Sequence, residues 1–210
     1  MPGNTTILGF VAAALAVLLI PGAGVLCVVA RSLGQGQRAG PVSVLGLSAG
    51  ALVHVAAATV GLSAILLASA TAFNIVKLLG AGYLIYLGVR ILLKCAPVES
   101  IKSPAHGSCY RFFTDGLIVS VLNPKIAIFF LAFLPQFVDP ASGSISQQIF
   151  LLGLLYVALA FFTDGAYVLL TGRARLWFSG QALHGPIPRH ASGFVYLGLG
   201  LGMALTDRRQ

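Results

Sequence analysis

The chain has 210 residues, of which 58% are hydrophobic and only 9% charged, and its mean hydropathy is +0.94. A soluble domain carries about 25% charged residues, so this composition excludes a water-soluble fold and makes the bilayer the solvent. The net charge of +8 comes from basic residues standing singly at the ends of apolar runs, a loop pattern that excludes a nucleic-acid-binding face.

The start, Met1 to Thr6, carries no basic residue, so a cleaved signal peptide is not expected, and Ile7 onward reads as a retained first span. Six spans are expected, at about 7–29, 42–66, 73–93, 112–134, 148–170 and 192–205. The sixth is short between Arg189 and Asp207; an earlier start near Ile187, with Arg189 snorkelling, and a re-entrant segment are its alternatives. The fold class is therefore all-α, a polytopic membrane protein in one domain.

Orientation follows from Lys and Arg in the short loops. Arg31 and Arg38 lie between spans 1 and 2, and Lys94 and Lys102 between spans 3 and 4. Arg173, Arg175 and Arg189 lie between spans 5 and 6. The 2–3 loop has no charge and the 4–5 loop only Asp139; Arg208 and Arg209 are the contrary residues. The basic loops are expected in the cytoplasm with both termini outside, and Lys77 near the outer end of span 3.

The 95–111 connector is the one sizeable polar stretch, and it separates a first repeat of about 1–94 from a second of about 112–210. Three spans per half insert the second half upside down relative to the first. Such inverted repeats are a transporter architecture, and matching interruptions in the two halves point to the binding site. Span 1 breaks at Pro21-Gly22-Ala23-Gly24 and span 4 at Asn123-Pro124-Lys125, with Phe10 and Phe113 each eleven residues before their proline. Gly46-x-x-x-Gly50 and Gly198-x-x-x-Gly202 carry the spacing of close helix packing.

Few polar side chains lie at membrane depth. Span 4 runs roughly 34 Å at about 1.5 Å per residue, and Lys125 near its middle costs about 2.5–3.5 kcal/mol on insertion scales. Asp164 in span 5 is an intramembrane carboxylate and the first candidate proton carrier; His54 in span 2 is the second. Asp115 lies near the cytoplasmic end of span 4, where a solvated helix start accounts for it. Asp164 is offset from Lys125 by roughly 10 Å in depth, so their direct pairing is not expected, and a wet cavity is expected to compensate the empty-state lysine. Each proline frees backbone amides and carbonyls that must face protein or water. Helix N-termini and Lys125 suit a carboxylate, while Asp164 and free carbonyls suit an ammonium. Pro21, Gly22, Asn123, Pro124 and Lys125 are thus the candidate substrate-binding residues for a small zwitterion, an amino acid.

These stretches resemble the bacterial LysE/RhtB-type amino-acid exporters (lysine and homoserine/threonine efflux). The likeness rests on Pro21-Gly22-Ala23-Gly24, on Arg31-Ser32-Leu33-Gly34-Gln35-Gly36-Gln37-Arg38, and on Lys77-Leu78-Leu79-Gly80-Ala81-Gly82-Tyr83. It continues through Leu122-Asn123-Pro124-Lys125 and Leu134-Pro135-Gln136-Phe137. Ala23 stands where the family usually has a second proline. The resemblance implies amino-acid efflux across the bacterial inner membrane, driven by the proton gradient. Neither enzymatic activity nor a cofactor is expected, and the partners are the solute, the lipid and, for so small a chain, a second copy of itself.

Two other readings stand beside this one. A metal-ion exporter would use His54 and Asp164, but two ligands in different spans are too few to define a site. An intramembrane thiol oxidoreductase would need paired cysteines. Cys27, Cys95 and Cys109 form no C-x-x-C and no metal spacing, and only Cys27 lies within a span.

Overall fold

In the computed structural model, residues 3–35, 38–64 and 108–174 are described, together with residues 71, 75, 78, 82, 86 and 89. Most of span 3, with Lys77, most of the 95–111 connector and span 6 with its glycine pair lie outside the described residues. The described chain is helical, with no strand among the described residues.

Helix α1 (Asn4–Leu18) stops short of Pro21, which has no N–H to offer and disfavours helical backbone at the residue before it. The Val17 carbonyl that Pro21 leaves without its donor is taken by the Ile20 N–H at 3.2 Å. Helix α2 (Ala23–Gln35) then resumes, turned by 57°. Helix α3 (Ala39–Ala57) continues as a wider turn through Ala58–Leu62. Helix α4 (Cys109–Val121) begins at Ser108, whose hydroxyl accepts from the Arg111 N–H.

The second break repeats the logic with different chemistry. Asn123 is extended, and its side-chain oxygen caps helix α5 (Pro124–Ile128) by accepting from the Lys125 N–H at 3.0 Å. Pro124 sits at the first helical position, where a missing N–H costs nothing. The turn continues through Phe129–Phe133 and Leu134–Phe137, bent 46° from α4. Helix α6 (Ile145–Ala174) is 30 residues long. Its entry loop is fixed by the buried Gln148 amide, which accepts from the Asp139 N–H and donates to the Asp139 carbonyl.

Among the described residues, Ala39–Leu62 and Ile145–Thr171 are each long and apolar enough to cross a membrane, and the number is four if each bent pair is one span. They fall where spans 1, 2, 4 and 5 were expected. The bent pairs are held by an aromatic core. Phe10 of α1 packs edge-on against Phe129 and Phe137, and Phe129 stacks on Tyr156 of α6 at 4.4 Å between ring centres. Helices α3 and α4 touch backbone to backbone. A Cβ on Gly46 would lie 2.1 Å from the Phe113 carbonyl oxygen, and one on Gly116 2.5 Å from that of Ser43. Glycine is required there because no side chain fits between the two chains.

Arg31 departs from its expected place in a loop. Helix α2 runs on to Gln35, and Arg31 is only 5% exposed, paired with the Asp115 carboxylate on α4 and lying over the Phe112 ring. Asp115, expected as a solvated helix start, is the counter-charge of a buried cation.

Candidate functional site

Both proline breaks open onto one cavity. It is lined by Gly22 and Gly24 from the first break, Ser120, Asn123 and Lys125 from the second, Ser48 and Leu47 from α3, and Tyr156, Ala160 and Asp164 from α6. Residues 156, 160 and 164 recur at four-residue spacing and so share a face of α6. The cavity measures about 40 Å³, room for about three waters at roughly 10–15 Å³ each. Any ligand larger than a few waters therefore needs the site to open.

The polar groups around the breaks are joined by long-range bonds. Lys125 Nζ donates to the Ile20 carbonyl at 2.7 Å, across 105 residues of sequence. Its stem lies along Gly22, where a Cβ would stand 3.4 Å from Lys125 Cδ. The neighbouring Leu19 carbonyl accepts from the Tyr167 hydroxyl at 2.8 Å. At the second break, Pro124 deprives the Ser120 carbonyl of its helical donor. That oxygen instead accepts from the Asn123 N–H and from His54 Nε2, both at 3.1 Å. A carbonyl only accepts, so this bond fixes the hydrogen of His54 on Nε2. The ring also stacks on Phe130. Carbonyls left open at a break in one helix are thus met by side chains from another.

Of the residues expected from sequence, Gly22, Asn123, Lys125 and Asp164 line the one cavity. Pro21 and Pro124 shape it by breaking the helices. Lys125 and Asp164 share the cavity, but among the described residues they form no ion pair within 4.0 Å. Water was expected to compensate the lysine, yet its direct partner is a protein carbonyl. Such a bond to a charged donor is worth about 1.5–3 kcal/mol. His54 is absent from the cavity lining and is engaged on the Ser120 carbonyl. Among the described residues no three His, Cys, Asp or Glu side chains group as a metal site.

Ile20, Ser120 and Tyr167 were not singled out from sequence. Ser120 was within reach, because the carbonyl that Pro124 frees is always the one four residues earlier. Its hydroxyl is buried and, among the described residues, has no partner. Tyr167 carried a weaker signal, three residues beyond Asp164 and so beside it on the helix.

Residues 15–206 match the model of the LysE type translocator family. The chain is 30% identical to a homoserine/homoserine lactone efflux protein of Salmonella typhi, over 77% of this chain and 78% of that protein. It is 32% identical to a leucine efflux protein of Salmonella choleraesuis (strain SC-B67), over 68% of each. A membrane protein of Bacillus subtilis (strain 168), YrhP, is 28% identical over 96% of this chain and 99% of its own length. No solved structure matches the chain.

Proposed function

The chain belongs to the LysE type translocator family, and we propose that it exports amino acids or small amino-acid derivatives across the bacterial inner membrane by proton antiport. The observation that carries this reading is the meeting of Lys125 and Asp164, one cation and one carboxylate, in a single cavity between two broken helices. A zwitterion matches that pair charge for charge. Its carboxylate binds Lys125, and the amides near Gly22 face the same group, with Asn123 fixing the geometry of the second turn by holding the Lys125 N–H. Homoserine and leucine, named for two of the efflux relatives, are of this class, while the homoserine lactone named beside homoserine shares the ammonium but has no free carboxylate.

Transport proceeds by alternating access. The two three-span halves rock around the fixed site, and the breaks supply the bends. Asp164 carries the proton: it accepts one from the outside and releases it inward in exchange for substrate. His54 is the second carrier candidate and the weaker one, because its Nε2–H is held by the Ser120 carbonyl.

The test is uptake into inverted membrane vesicles of a panel of labelled amino acids, with and without an imposed pH gradient. At least one amino acid accumulates in vesicles containing the protein, and accumulation collapses with the gradient. No accumulation of any member of the panel refutes amino-acid export, and accumulation indifferent to the gradient refutes the antiport.

A further inference from the structure

We infer that the Ile20 carbonyl and the Asp164 carboxylate form an ammonium-binding site. Lys125 fills that site when the cavity is empty, and the substrate's own ammonium displaces it. The inference rests on the amino-acid reading above and assigns the other half of the substrate.

In an unbroken helix the Ile20 carbonyl would accept from the residue four positions on. The break at Pro21 and Gly22 takes that donor away, and the oxygen receives the Lys125 ammonium at 2.7 Å instead. Asp164 lines the same cavity and, among the described residues, makes no ion pair within 4.0 Å. The Ile20 carbonyl, reached by the ammonium of the cavity-lining Lys125, and a carboxylate lining the same cavity suit a primary ammonium, which has three donors to satisfy and no acceptor of its own. The ammonium present is the protein's own, at the end of a flexible stem lying against Gly22.

Charge balance makes displacement selective. The empty cavity holds one cation and one carboxylate. An incoming zwitterion adds no net charge: its ammonium takes the Ile20 carbonyl and Asp164, and Lys125 swings to its carboxylate. A simple carboxylic acid would draw Lys125 away and leave the Ile20 carbonyl bare. A simple amine would evict Lys125 without giving it a partner. Movement of the lysine stem also vacates part of a cavity otherwise about 40 Å³ in size.

The test is calorimetric titration of purified protein with ethylamine as the probe, comparing the parent, Lys125→Ala, and Lys125→Ala combined with Asp164→Asn. Ethylammonium binds Lys125→Ala at least tenfold more tightly than the parent, and the added Asp164→Asn reverses that gain. Lys125→Met, which keeps an apolar stem, provides the same comparison where the alanine variant does not fold. Equal affinities in parent and variant overturn the proposal, as does a gain that survives Asp164→Asn. A second arm uses only the parent: the exported amino acid binds at least tenfold more tightly than the same molecule without its amino group, and equal binding overturns the ammonium site. The two readings fail separately. Export with no ammonium requirement sinks the site alone, and ethylammonium binding to the variant with no export by the parent sinks the exporter alone.

Discussion

Replacing Lys125 by methionine separates a lysine that serves transport from one that serves folding. The substitution keeps the apolar stem along Gly22 and removes the ammonium from the Ile20 carbonyl. The lost bond is worth about 1.5–3 kcal/mol, but the variant is also spared about 2.5–3.5 kcal/mol of the cost of inserting a lysine. These opposing amounts are of similar size, so stability changes little. At about 2–4 °C per kcal/mol for a chain of this length, the melting temperature moves by only a few degrees. Binding behaves differently. In the parent, Lys125 exchanges one acceptor, the carbonyl, for another, the substrate carboxylate. In the variant that carboxylate enters the cavity without a partner, at a penalty of about 1–3 kcal/mol or more, which is roughly 5- to 150-fold in Kd. The assay is equilibrium binding of the exported amino acid to monodisperse parent and variant, with thermal unfolding measured on the same preparations. Unchanged affinity would remove Lys125 from the site. A large loss of stability with normal affinity would make it a structural residue.

Asp164→Asn abolishes export driven by a pH gradient and also weakens substrate binding, because the ammonium loses its carboxylate; a variant that pumps like the parent across pH places the proton elsewhere. Gly46→Ala sets a methyl 2.1 Å from the Phe113 carbonyl oxygen and destabilises by about 1–3 kcal/mol through overpacking. Gly165→Ala, with nothing within 4 Å of its added Cβ, serves as the control in the same thermal scan, and equal melting temperatures would refute the close α3–α4 contact. A cysteine at Ala141, in the turn before α6, labels from outside the cell in a background lacking Cys27, Cys95 and Cys109. Labelling only from the cytoplasm would reverse the orientation.

The candidate spans among the described residues were legible because their signal is local: length, apolarity and proline all act within one helix. The same holds for the two breaks. Asn123-Pro124 announces a cap and a first helical position within two residues, and the structure uses both that way. What the sequence does not carry is how far each broken helix leans. A bend of 57° in one and 46° in the other brings Lys125 to a carbonyl 105 residues away, and no spacing rule reaches across that distance. Arg31 shows the opposite error. Its position near the end of an apolar run reads as a loop cation, because the burial that Asp115 permits depends on a partner 84 residues on. His54 was visible as an unusual polar residue, but its tie to the Ser120 carbonyl required knowing that α3 and α4 approach closely enough to need Gly46, Gly50 and Gly116.

The central claim is that the substrate sits between the two breaks, and protection of a cysteine in that cavity tests it most directly. Ser48 lines the cavity from α3, and Ser48→Cys in the cysteine-free background places one thiol there with little change in volume. The rate of its reaction with a small charged thiol reagent is measured with and without the exported amino acid. The account predicts severalfold slower labelling at saturating amino acid, and loss of that protection when Lys125→Met is added. A labelling rate unmoved by an amino acid that the same protein still exports would contradict it.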